Sequence, residues 1–127
     1  MKELDYSKIP DYGIRKKELA ERLGLSPRTI STYHQIALEY CGDFATDYPQ
    51  IDGKPITLCP ITPYQCWVIE NICFWIHSRK IPIALLENKL GTDYKFESMF
   101  SKKAFLNTNQ VKVEVQNHDI TGICRVA

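Results

Sequence analysis

The chain has 127 residues, of which 44% are hydrophobic, enough for one sizeable core and too few for two independent ones. Its formal charge of +1 and its pI near 7.6 exclude a uniformly basic nucleic-acid binder, so any charged partner must be met by locally placed charge. No run approaches the roughly 18 to 20 consecutive apolar residues of a membrane helix, and the polar start MKELDYSKIPDYG lacks the apolar stretch of a secretory signal, so a cytoplasmic protein away from membranes is expected.

The five cysteines, Cys41, Cys59, Cys66, Cys73 and Cys124, are odd in number, scattered and without a C-x-x-C pair, which fits reduced thiols rather than a disulfide framework. Residues 1–13 are too irregular for a helix and read as an ordered lead-in. From about Arg15 to Leu23, the apolar positions Leu19, Ala20 and Leu23 recur at helical spacing among charges, which predicts a short amphipathic helix. Gly24 ends it as a left-handed residue. Ser26 followed by Pro27 is then an N-cap with proline at the first helical position, so a second helix is expected from Pro27 to about Glu39. Ile30, Tyr33 and Ala37 mark its packed face, and Arg28, Thr29, Ser31, Thr32 and Gln35 its outer face.

Between Cys41 and Ile61 the periodicity dissolves, and Asp52-Gly53 between short β-prone runs predicts a small hairpin carrying Lys54. Thr62-Pro63 repeats the cap-plus-proline start, and Val68, Ile69, Ile72, Cys73 and Ile76 mark a strongly apolar helix to about Ser78. After the turn SRKI a further short helix is expected from Pro82 to Leu90, closed by Gly91, and another around Ser98 to Leu106. The alternation of Val111, Val113 and Val115 with Lys112 and Glu114 predicts a terminal β-hairpin turning at Asn117-His118. The expected fold class is therefore α+β, mainly helical: a helix-turn-helix with a hairpin, a second helix pair and a C-terminal β-hairpin.

Two helices around a tight turn point to duplex DNA when the second presents polar side chains, because a helix about 10 to 12 Å across fits the major groove. Arg28 suits guanine or phosphate, Thr29, Ser31, Thr32 and Gln35 suit bases or backbone, and Ser26 opens a helix N-terminus that favours phosphate. Arg15, Lys16 and Lys17 add a local cationic cluster. Against this stands the plain fact that short helix pairs with solvated charged faces are common.

The register E-L-A-x-x-L-G-L-S-P-R-T-I-x-x-Y, the hairpin Asp52-Gly53-Lys54 and the segment ITPYQCWVIENICFWIHSRKIPIALLENKL together resemble MerR-like transcription regulators over residues 14 to 91. The resemblance implies a winged helix-turn-helix that binds an operator as a homodimer, with the second helix in the major groove and the hairpin as a wing on phosphate. The chain departs from that family at Ser31 and Thr32, where an arginine and an aromatic are frequent, and in carrying Lys54 rather than an arginine pair. It also lacks the family's long dimerising coiled coil, and in this it resembles the short MerR-like repressors that accompany CRISPR-associated transposons in cyanobacteria. The expected organisation is a DNA-binding domain over 1–91 and a dimerisation segment over 92–127, with Phe96, Met99, Phe100, Val111, Val113 and Val115 at the dimer interface.

Other chemistry finds less support. Cys66 and Cys73 share a helical face, with His77 four residues on, but one helix supplies too few ligands for a closed metal site, and core packing accounts for the thiols. Trp67 and Trp75 are better read as core than as an effector pocket, and His34 and His118 stand alone. No nucleophile, phosphate-loop or metallohydrolase motif occurs, so no enzyme, metal or cofactor is expected. The expected function is transcriptional regulation, as a repressor homodimer on an inverted-repeat operator in double-stranded DNA; the alternative is an excisionase-like or transposition-associated architectural DNA adaptor.

Overall fold

A computed structural model of the chain describes residues 2–108, and it is mainly helical with one small two-stranded antiparallel sheet. The helices are α1 (Lys16–Leu23), α2 (Pro27–Tyr40), α3 (Gly42–Thr46), α4 (Pro63–Cys73), α5 (Ile83–Thr92), α6 (Tyr94–Ser98) and α7 (102–108). Strands β1 (Gln50–Ile51) and β2 (Lys54–Pro55) pair in the register Gln50 to Pro55 and Ile51 to Lys54.

Local chemistry sets most of these boundaries. Gly24 is left-handed, at φ 74°, and the Leu25 N–H reaches the Ala20 carbonyl at 2.9 Å while the Gly24 N–H reaches Glu21 at 3.2 Å, the paired bonds that close a helix on glycine. Two residues later the Ser26 hydroxyl accepts from the Thr29 N–H at 3.1 Å and Pro27 begins α2. Thr62 and Gln65 form a reciprocal capping box at the start of α4. The side-chain nitrogen of fully buried Gln65 also donates to the Phe44 carbonyl at 2.8 Å, which ties α3 to α4.

Several expectations require correction. The stretch from Cys41 to Ile61 contains α3, which starts at a glycine without a side-chain cap and is held by the burial of Phe44. The last turn of the long apolar segment, Phe74–Ser78, widens to a π-helix in which the Arg79 N–H bonds back to Phe74 at 3.1 Å. Gly91 does not end α5, which runs on to Thr92 and stops at Asp93. In place of one helix over 98–106 there are two. Asp93 caps α6 by accepting from the Phe96 N–H, and Ser101 accepts from Ala104 to start α7. The expected terminal hairpin, with Val111, Val113 and Val115, lies outside the described residues.

One core runs through the fold: Leu19 and Leu23 from α1, Ile30 and Ala37 from α2, Val68, Ile69 and Ile72 from α4, and Leu86 and Leu90 from α5. Phe96, Phe100 and Phe105 belong to the same cluster, so residues 92–108 are packed against the preceding helices rather than standing off them. The lead-in is fastened as well. The Leu4 N–H donates to the Glu70 carboxylate at 2.9 Å, the Tyr6 hydroxyl donates to its other oxygen, and Ile14 bridges Ile61 in an isolated antiparallel pair. Among the described residues no helix is long and apolar enough to cross a membrane.

Candidate nucleic-acid interface

α2 packs against α1, α3 and α4, and along one flank against α5. With Ile30, Tyr33, His34, Ile36 and Ala37 buried, the helical repeat leaves Arg28, Ser31, Thr32, Gln35 and Glu39 on one exposed arc. The structure thus brings together four of the five outer-face residues expected from the sequence. Thr29 falls off the arc. It is half-buried, and its N–H and hydroxyl both engage Ser26, which is spent on the cap in turn.

The arc's own hydrogen bonds are few. The Thr32 hydroxyl donates to the Arg28 carbonyl at 3.2 Å, and the Gln35 amide donates to Glu39 at 3.3 Å. Both are local and exposed, and a ligand can exchange them at little cost. Among the described residues no ion pair involves Arg28.

The cations expected beside the arc are differently disposed. Arg15 is the residue before α1 and Lys17 is exposed on it, while Lys16 is half-buried and near enough to His34 to disfavour its charged form. Lys54 is exposed on β2, directly after Asp52 and Gly53, both left-handed at φ 53° and 77°, the pattern of a tight two-residue hairpin turn.

A shallow depression of about 400 Å³ lies against the arc, with Ile83 and Glu87 of α5 opposite Arg28, Thr32 and Gln35. Arg15, Lys17 and Lys54 do not border it. Sequence reasoning assigned no role to Ile83 and Glu87. Their spacing of four puts them on one stripe beside buried Leu86 and Leu90, but which helix that stripe faces is a tertiary fact.

The buried surface of α2 carries two polar contacts. Nε2 of His34 lies 2.6 Å from the Tyr48 hydroxyl in the interior, and burial, helped by the Lys16 charge, pulls the His34 pKa down to about 4. The Tyr33 hydroxyl lies 2.8 Å from Nε2 of His77, which joins α2 to the π-helical turn.

The remaining expected sites are resolved by packing. Phe96 and Phe100 are buried inside this chain, where Phe96 meets Trp75 at 5.2 Å between ring centroids and Phe100 at 5.4 Å; they are corrected from interface to core residues. Met99, between them, is 51% exposed. Cys66 and Cys73 are fully buried, and burial pushes each thiol up to about 12. Among the described residues no three potential ligands cluster for a metal ion. Trp67 meets Phe105 at a tilt, with ring centroids 5.5 Å apart, and Trp75 lies against Phe96 and beneath the Arg79 guanidinium.

Comparison of the chain with protein-family models, with curated proteins and with solved structures finds no match in any of the three.

Proposed function

We propose that the protein is a sequence-specific DNA-binding transcription regulator, acting as a repressor homodimer on an inverted-repeat operator through a winged helix-turn-helix. The observation that carries this reading is the exposed arc of α2. A guanidinium, two hydroxyls and an amide stand on one helical face, directly after a capped N-terminus and a three-residue turn from α1. Arg28 matches guanine or phosphate, Ser31 and Thr32 match either base edges or backbone, and Gln35 matches adenine.

The hairpin supports the same reading. Its two-residue turn presents Lys54 to solvent on a projection that suits phosphate beside the groove. Repression requires nothing beyond occupancy, since a compact protein seated on a promoter blocks access by exclusion. A homodimer supplies the two-fold symmetry that an inverted repeat demands, with exposed Met99 on the surface for pairing.

Footprinting of the protein on the DNA upstream of its own gene tests the reading. The expected result is a protected inverted repeat with half-sites about one helical turn apart. Absence of protection on every fragment at low salt refutes it, because even non-specific electrostatic binding is strongest there.

A further inference from the structure

Resting on the DNA reading above, we propose that Glu87 of α5 is a second base-reading residue, which pairs with Arg28 of α2 to select one G·C pair in one orientation. The depression between the two helices has Arg28, Thr32 and Gln35 on one wall, Ile36 at its floor, and Ile83 and Glu87 on the other. The depression is therefore bordered by two helices, and the opposite charges of Arg28 and Glu87 line the same space. Among the described residues no ion pair joins them or engages either with a third group.

The chemistry of a G·C edge fits this pair of opposite charges. In the major groove guanine presents two acceptors, N7 and O6, and cytosine beside it presents the N4 amino donor. A guanidinium donates to the first and a carboxylate accepts from the second. Turning the pair over sets Glu87 against acceptors and Arg28 against a donor, so each mismatch is penalised from both sides. A docked base edge would sit beside Ile36 and Ile83 and displace water from between the charged groups, which strengthens charge-assisted hydrogen bonds and makes an unpaired charge costly.

A carboxylate on a DNA-facing surface is otherwise a liability, because it repels phosphate. The two roles separate by experiment. The full chain, wild type and Glu87→Gln, is used to enrich binders from a pool of randomised duplexes, with melting temperature as the check on folding. The expected result is a wild-type consensus in which one G·C position loses its preference for cytosine in Glu87→Gln, with discrimination there falling about tenfold or more and other positions unchanged. In Arg28→Ala the guanine of the same pair is lost.

An unchanged consensus, or equally tighter binding of Glu87→Gln to all sequences, overturns the proposal, since Glu87 would then act only as a repelling charge. A wild-type protein that enriches no sequence overturns the DNA reading itself, and this proposal with it.

Discussion

Nε2 of His34 and the hydroxyl of Tyr48 lie 2.6 Å apart in the interior, joining the middle of α2 to the segment that enters the hairpin. Phe44 packs edge-on against both rings, so the pair is closed to water on that side. Burial first, and the Lys16 charge second, hold the His34 pKa near 4 against an ordinary value of 6.5. The unfolded chain thus binds the proton that the folded chain refuses. Stability is complete above about pH 6.5 and falls as the pH drops towards 4, by about 1.4 kcal/mol for each pH unit, or on the order of 3 kcal/mol in all. Urea unfolding at pH 7 and pH 5 measures this. His34→Gln is expected to flatten the dependence, and an equally steep loss in that variant would place its origin elsewhere.

Gly13 and Gly24 are both left-handed, yet their substitutions differ in consequence. A Cβ at Gly13 would lie 2.3 Å from the Ile61 carbonyl oxygen, inside the bridge between Ile14 and Ile61, whereas at Gly24 it meets only the flexible Lys2 side chain at 3.6 Å. Gly24→Ala should cost about 1 kcal/mol from backbone strain alone, and Gly13→Ala on the order of 2 kcal/mol or more because the backbone must move. Thermal melts of the two variants side by side give the comparison.

Thiol reactivity should divide by burial. Cys41, Cys66 and Cys73 are buried, and burial raises each to about 12, while Cys59 is partly exposed. Native protein treated with iodoacetamide near neutral pH is expected to be alkylated at Cys59 and protected at Cys41, Cys66 and Cys73, as read by peptide mass mapping. Equal labelling at Cys73 would mean that the core around α4 opens readily.

How much of this was legible in the sequence depends on where the deciding contact lies. α1, the turn at Gly24, α2 and the start of α4 were readable because Gly24, Ser26-Pro27 and Thr62-Pro63 act on their own next few residues. Asp93 and Ser101 are caps of the same kind, and reading them as such would have split the expected helix over 98–106 into α6 and α7. α3 was not legible, since its support is Phe44 in the core and the bond from Gln65 rather than any local signal. The candidate site divides in the same way. Arg28, Ser31, Thr32 and Gln35 follow from helical periodicity, whereas Glu87 joins them only through the packing of α5 on α2.

Whether the arc of α2 meets DNA while the hairpin meets phosphate is decided by titrating a footprinted duplex by fluorescence anisotropy at several salt concentrations. Arg28→Ala is expected to weaken binding about tenfold or more, and Lys54→Ala to lower the slope of log K against log salt by about 0.9, as the loss of one phosphate contact requires. Unchanged affinity in the first variant together with an unchanged slope in the second would contradict it.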